Sequence, residues 1–265
     1  MKKITKNVEP ESLRLYRASN PNDDWKTGFK RNAGQDPNKE VKQALLLEQK
    51  HLCVYCEIDL KSGMGYANDD FRVEHFYPEN PKDEDKRYDG INYALTWSNM
   101  FGCCHGGSMS TVVDKNERFT NPDVSCDVNK KNNDWTADLL NPLTDIPAFP
   151  SVFSFDENGN IFVNEDIQDP EIARKASKTI ELLSLDSQRL IKLRKNAIDD
   201  LIIKINELSG ENFSDEFLFD AVLEQLASEL LLCDKESSLV PFFSSIRWYL
   251  GPAAEKILKQ ASYNG

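Results

Sequence analysis

A glutamate and a histidine stand side by side in the stretch FRVEHFYPEN, residues 71–80. The chain has only three histidines, so a base here is scarce within it. Neutral imidazole is an effective general base near neutral pH, and a carboxylate is a good ligand for a hard divalent cation. Together with the cysteines described next, Glu74 and His75 indicate metal-assisted hydrolysis of a phosphodiester. The alternative is an acid–base pair without chemistry at the surface or core edge.

Cysteines flank this stretch on both sides. Cys53 and Cys56 have C-x-x-C spacing, which lets two thiolates share one metal ion. A single C-x-x-C pair is also found in redox proteins and in ordinary cores. Cys103, Cys104 and Cys126 lie downstream and supply candidates for a second pair. The spacing favours a four-cysteine zinc knuckle that fixes the strand carrying Glu74 and His75.

The elements that must position these residues follow from hydrophobic periodicity and from start signals. Asp36-Pro37 predicts the start of a helix that runs towards Cys53, and residues 53–135 alternate strand-like pieces with loops. A β-hairpin is predicted around residues 157–160. From Asp169-Pro170 the pattern is helical, with a further start at Ser214 and one or two short helices after residue 240. The chain is therefore a small mixed module, residues 1–165, followed by a helical region, residues 166–265.

Composition limits the range of functions. The chain has 265 residues and a net charge of −12, and its apolar runs are broken by charges, which excludes a membrane span. The first ten residues lack the apolar segment of a signal peptide, so we expect a cytoplasmic protein with reduced cysteines. Residues 1–50 carry eleven Lys or Arg against seven Asp or Glu, and residues 151–265 carry twelve against twenty. An acidic body repels phosphate, so nucleic-acid chemistry here requires a metal, a basic partner, or both.

The phrases CVYCE, VEHFYP, WSNMFGCCHGG, SCDVNKKN and LLNPLTD with FSFDENGNI carry a family resemblance over residues 40–165. In combination they resemble the HNH endonuclease family, in particular the PtuB-type proteins of Septu and retron-associated anti-phage defence systems. The resemblance implies an α+β fold with a small zinc-stabilised ββα-metal module and a helical C-terminal region. It also implies an ATPase partner, PtuA-like, and a DNA substrate.

The resemblance assigns roles to individual residues. His75 would be the general base, Glu74 and Asp127 would bind a catalytic Mg²⁺ or Mn²⁺, and Asn99 would brace the loop that carries the site. Structural Zn²⁺ would be held by Cys53, Cys56, Cys104 and Cys126. Two features depart from the family pattern. The second cysteine pair is split by 21 residues, and Asp127 stands where Asn or His is usual.

Several positions have alternatives. The Asn-x4-Cys spacing after Asn99 favours Cys104 as the third zinc ligand, and Cys103 and His105 are its rivals. Lys130 and Lys131 are expected to be a solvated pair, with a contact to phosphate as the alternative. The core is the expected place for three other residues, Trp97, Trp135 and Cys233.

The first functional hypothesis is therefore a metal-dependent HNH endonuclease that cuts DNA as the effector of an anti-phage system. Its acidic helical region, residues 166–265, is expected to bind the ATPase partner. The second hypothesis is a catalytically inactive zinc-knuckle adaptor, which has no reason to keep Glu74, His75 and Asp127 together. A C-x-x-C redox protein is the third, and tight binding of one zinc per chain would exclude it.

Overall fold

The computed structural model describes residues 1–34, 36–60, 71–108, 124–210, 216–232 and 238–265. Within these ranges the chain mixes helices with two short antiparallel hairpins. The helices are α1 (Glu11–Ser19), α2 (Lys30–Asn32), α3 (Pro37–Gln49), α4 (Asp127–Lys130), α5 (Pro170–Leu182), α6 (Gln188–Ser209), α7 (Glu216–Leu231) and α8 (Phe243–Gln260). The strands are β1 (Phe71–His75), β2 (Met100–Cys104), β3 (Phe153–Phe155) and β4 (Ile161–Val163). A π-helical turn, Trp25–Phe29, precedes α2.

The first hairpin carries the candidate residues. Strands β1 and β2 pair antiparallel, with Glu74 opposite Phe101 and His75 opposite Met100. The second hairpin, β3 with β4, lies where the sequence predicts one. Its turn needs Gly159, which has φ +84°, because a Cβ there would lie 2.2 Å from the carbonyl oxygen of Ile191. Both sheets have two strands, so helices and loops must supply most of the core.

The predicted helix starts at residues 37 and 170 are confirmed. Pro37 and Pro170 are the first residues of α3 and α5, where proline loses no helical hydrogen bond. The Asp169 carboxylate accepts hydrogen bonds from the amides of Glu171 and Ile172, which satisfies two of the free donors of the first turn. The predicted cap at Ser214 lies outside the described residues.

The prediction of one or two helices after residue 240 is confirmed, because α8 is kinked at Gly251, where φ is 53° and Pro252 follows. One local prediction needs correction. The stretch after Cys56 belongs to the strand-like pieces expected within residues 53–135, but its described part, up to residue 60, forms a single bridge, between Leu52 and Asp59. Glu57 explains this difference, because its φ of 63° turns the chain sharply after the second cysteine.

The helical region packs directly on the cysteine-bearing module. One core cluster combines the buried cysteines with side chains from both sides of residue 165, including Phe71, Phe101, Ala176 and Leu183. Glu57 adds a polar tie, because its carboxylate accepts hydrogen bonds from the amide and hydroxyl of Ser244 at 2.8 and 2.6 Å.

Two further core clusters complete the interior. One joins α6, α7 and α8, and the other packs the N-terminal segment against the loop before β2. In the part of the chain that the structure describes, no helix combines the length and the apolar character needed to cross a membrane.

Candidate functional site

Four cysteine sulfurs converge beside the first hairpin. The Sγ atoms of Cys53, Cys56, Cys104 and Cys126 all lie within 4.8 Å of one another, and all four residues are buried. Two of the separations, Cys56–Cys104 and Cys104–Cys126, are 3.6 and 3.7 Å. A tetrahedral zinc with Zn–S bonds of about 2.3 Å places its sulfurs about 3.8 Å apart. The four thiols therefore fit a tetrahedral metal ion with soft-ligand preference.

Backbone turns hold the sulfurs in place. After Cys53 the chain closes a tight turn, in which the amide of Glu57 donates to the carbonyl of Cys53 at 3.0 Å. The amide of Gly106 donates to the Sγ of Cys104 at 3.3 Å. Gly106 has φ +55°, and a Cβ there would lie 2.1 Å from the carbonyl oxygen of Ser125. Glycine is therefore required at position 106, where the chain that follows Cys104 packs against the residue before Cys126.

The third position of the cluster is occupied by Cys104. Cys103 is buried beside the cluster, with its Sγ 3.9 Å from that of Cys53, but it is outside the set of four mutually close sulfurs. His105 is outside that set as well. Hydrogen bonds from the Cys103 and Cys126 thiols lower the pKa of the Cys104 thiol well below its ordinary value, which favours a thiolate there.

The carboxylates of Glu74 and Asp127 lie in a buried charged cluster on one face of β1. The ammonium group of Lys130 lies 2.8 Å from Glu74 Oε1, and the guanidinium Nε of Arg72 lies 2.8 Å from Asp127 Oδ2. The hydroxyl of Tyr55 donates to Glu74 at 3.2 Å. Arg72 and Glu74 share a strand face because they are two residues apart. The hairpin and α4 thus bring the two predicted metal-binding carboxylates into one cluster.

The environment of Asp127 favours a cation. Burial, and then the charge of Glu74, raise the pKa of the Asp127 carboxyl well above its ordinary value, although Arg72 opposes the shift. Its Oδ1 is buried without a hydrogen-bond partner in the described structure. A hard divalent cation prefers such carboxylate oxygens. The orphaned oxygen and the neighbouring carboxylate therefore fit a magnesium or manganese ion.

His75 is oriented by contacts of its own. Its Nε2 lies 3.1 Å from the carbonyl oxygen of Ala94, and its ring meets the ring of Trp25 edge-on at 5.5 Å. A carbonyl only accepts, so Nε2 carries the hydrogen and Nδ1 is the basic atom. Burial lowers the pKa of His75 to about 4, so the ring is neutral at pH 7. In the described structure no hydrogen bond or ion pair joins the imidazole to Glu74 or Asp127.

Asn99 ties together the two loops that flank the hairpin. Its side-chain amide donates to the carbonyls of Tyr77 and Tyr93, both at 2.9 Å, and its Oδ1 accepts from the amide of Tyr77 at 2.8 Å. These contacts fix the backbone directly after His75. They occupy the polar atoms of Asn99 with backbone partners.

The expectation that Lys130 is solvated is wrong. Its side chain is 1% exposed, and its ammonium group bonds the carbonyl of His75 at 2.7 Å as well as Glu74. Lys131 is exposed. Trp97 is buried and Trp135 packs against the first core cluster, as expected. Cys233 lies outside the described residues.

Neither Arg72 nor Tyr55 was predicted from the sequence as a residue of the site. The signal for Arg72 was its spacing, because a residue two before Glu74 in a strand shares its face. No comparable signal marks Tyr55, whose distance from Glu74 depends on how the cysteine turn packs against β1.

Comparison with known proteins identifies the family. No protein-family model matches the chain. An Escherichia coli protein, the "Retron Ec83 putative HNH endonuclease", is 31% identical over 218 residues, which cover 75% of this chain and 79% of the relative. The chain therefore belongs to the HNH endonuclease family, as the motifs around the cysteines and His75 imply.

Proposed function

We propose that the chain is a metal-dependent HNH endonuclease that cleaves DNA phosphodiester bonds. The observation that carries the proposal is the buried pair Glu74 and Asp127, because Asp127 Oδ1 has no hydrogen-bond partner in the described structure. The four-cysteine cluster and the similarity to a retron HNH protein support it. A purely structural cluster has no use for a second buried carboxylate that raises the pKa of the first.

In this proposal β1, β2 and α4 form the ββα-metal arrangement of the family. Glu74 and Asp127 would hold Mg²⁺ or Mn²⁺, which would neutralise charge on the phosphate and the leaving oxygen. His75 accepts a proton from water at Nδ1 while Ala94 holds Nε2. The water oxygen forms a bond to phosphorus as the bond to the leaving oxygen breaks. Asn99 positions the chain after His75, and Zn²⁺ on the four cysteines is structural.

The proposal extends to the biological setting. The relative's retron name and the resemblance to PtuB-type proteins support an effector role in anti-phage defence, alongside a PtuA-like ATPase. An acidic chain of net charge −12 gains little from attraction to DNA, which supports a dependence on such a partner. Acting on DNA inside the cell, the nuclease would work in the cytoplasm.

The test compares wild type with His75→Ala in plasmid cleavage. Both proteins are first checked for one zinc per chain and equal far-UV circular dichroism, then assayed with Mg²⁺ or Mn²⁺, with and without the ATPase. Loss of a general base is expected to lower the cleavage rate by a factor of about 10² to 10⁴. His51→Asn is the matched control, because His51 has φ 64° and asparagine tolerates that backbone conformation.

Equal cleavage by wild type and His75→Ala would remove His75 as the base. If neither protein cleaves DNA under any of these conditions, the nuclease proposal fails. The second hypothesis, an inactive zinc-knuckle adaptor, would then account for the bound zinc. The ion pairs of Glu74 with Lys130 and of Asp127 with Arg72 are the observation that favours it, since each carboxylate already has a cation.

A further inference from the structure

A cleft lined by aromatic and polar side chains opens next to the first hairpin. Its volume is about 360 Å³, within the range of small-ligand sites. Tyr77, two residues after His75, lines it together with Tyr93, and Asn99 lies between them in its wall. The cleft therefore shares its wall with the chain segment that Asn99 fixes behind the candidate base.

Flat surfaces dominate one side of the cleft. The rings of Tyr77 and Tyr93 have centroids 4.6 Å apart, and the guanidinium of Arg87 lies 4.3 Å above the Tyr77 ring. The Arg87 side chain is 37% exposed and Tyr93 is half-buried, so both present open surface to the cleft. Planar guanidinium groups and exposed aromatic rings are the surfaces on which unpaired bases stack.

Both cations that line the cleft already have an acidic partner. The Arg87 guanidinium pairs with Asp134, which lies beside the lining, at 3.1 Å, and Lys175 pairs with the lining residue Asp145 at 2.8 Å. A phosphate site needs positive charge that is free to pair, and these two cations are already engaged. The remaining lining includes hydroxyl and amide groups of Thr96, Ser98 and Asn141, which match the hydrogen-bonding edge of an uncharged heterocycle.

Loop contacts keep the flat surfaces in place before any ligand arrives. The hydroxyl of Tyr77 donates to the carbonyl of Asp85 at 2.8 Å and accepts from the amide of Arg87 at 3.0 Å. The hydroxyl of Tyr93 donates to Asp89 at 2.7 Å. The guanidinium of Arg87 also bonds the hydroxyl of Thr136. The cleft is therefore preformed, which lowers the entropic cost of binding.

We propose that this cleft binds an unpaired nucleobase of the nucleic-acid strand, next to the bond that is cut. The inference deepens the proposed nuclease function and rests on it. Base stacking does not depend on attraction to phosphate. It therefore lets a chain of net charge −12, which gains little from electrostatic attraction, bind DNA. The preferred substrate is then a strand with unpaired bases, not a continuous duplex.

The first experiment measures binding by fluorescence anisotropy with the full chain in buffer without divalent metal. The probe is a labelled single strand of about 12 nucleotides, compared with an abasic strand of equal length and charge, a matching duplex, and a free nucleoside monophosphate. The base-containing strand is expected to bind at least about tenfold more tightly than each of the other three. Equal binding of the abasic strand would overturn the proposal, because phosphate contacts would then suffice.

Variants locate the binding. Tyr93→Ala and Ser98→Glu, both at lining positions, are expected to weaken binding of the single strand by about tenfold, while Tyr93→Phe keeps the ring and binds like wild type. Phe162→Ala is the matched control, since Phe162 is 49% exposed on β4, outside the cleft. Unchanged binding in both cleft variants would overturn the assignment, as would a mononucleotide that binds as tightly as the strand.

Plasmid cleavage measured in parallel separates the two proposals. Cleavage by wild type, with abasic and base-containing strands bound equally, would overturn the base site and leave the nuclease intact. Base-dependent strand binding without cleavage under any condition would support the base site and remove the nuclease activity. If no strand binds at all, the base site is overturned.

Discussion

At the scale of single residues, the site is defined by charges that are paired while buried. Lys130 is the clearest example, because its side chain is 1% exposed and its ammonium group contacts both Glu74 and the backbone of His75. Removing one member of a buried pair leaves the other charge without compensation, which costs far more than an exposed pair is worth. Lys130 thus fixes α4 against β1 through one atom.

Lys130→Met is expected to lower the free energy of unfolding by about 3 to 5 kcal/mol, because Glu74 would stay buried without its partner. Methionine keeps about the length and volume of the side chain and removes the charge together with the hydrogen bond to the His75 carbonyl. Urea unfolding of the zinc-loaded protein, followed by circular dichroism, measures the effect.

The neighbouring substitution Lys131→Met is the control. Lys131 is exposed, so its replacement is expected to change the unfolding free energy by no more than about 0.5 kcal/mol. Equal losses for the two variants would mean that the Glu74–Lys130 ion pair adds nothing beyond the surface charge of this segment.

At the scale of elements, the cysteine cluster depends on tight turns that only particular backbones allow. Gly106 is the critical position, because it donates to the Sγ of Cys104 and accepts from the amide of Ser125 at 3.1 Å. It thereby links the end of β2 to the residue just before Cys126. Any side chain at this position meets the backbone of Ser125, which cannot yield without moving the fourth ligand.

Gly106→Ala is therefore expected to reduce zinc to well below one per chain and to destabilise the protein by more than about 2 kcal/mol. Zinc is measured by atomic emission after gel filtration. Gly210→Ala is a matched control, because Gly210 has the same φ of +55° and, among the residues that the structure describes, none lies within 4 Å of an added Cβ. It should cost about 1 kcal/mol and retain zinc. Full zinc in Gly106→Ala would contradict the turn argument.

Local signals in the sequence predicted the elements that depend on neighbouring residues. The helix starts at Pro37 and Pro170 and the hairpin around Gly159 each follow from side chains within a few positions. The cysteine spacing predicted a four-sulfur cluster, and the family resemblance selected Cys104 and Cys126 for its second half. Local signals could not predict the pairs of residues that only tertiary packing brings into contact. The ion pair of Lys130 with Glu74 joins residues 56 positions apart, and the lining of the cleft at Tyr77 joins residues as distant as 76 and 175.

At the scale of the whole molecule, the helical region is part of the interior of the module. Side chains of α5 and the start of α6 share a core cluster with the cysteines, and Glu57 anchors the start of α8. Deleting residues 169–265 would expose that core, so loss of partner binding in the truncated chain would have two explanations. Surface substitutions test the expected partner-binding role without this ambiguity.

The outer face of α6 is the surface on which we expect the ATPase to bind. Asp200, Ile203 and Glu207 are exposed at spacings of three and four, so they share one helix face, and Ile203 is 53% exposed.

The combined change Asp200→Asn, Ile203→Ser and Glu207→Gln is expected to reduce co-purification with the ATPase at least about tenfold, because it removes an apolar anchor and its flanking charges. Melting temperature and zinc content should stay unchanged. Val8→Ser with Asp166→Asn, at exposed positions elsewhere, should leave co-purification intact. If the α6 variant still co-purifies like wild type, the partner binds another surface, and the acidity of this face serves only to keep the chain apart from free DNA.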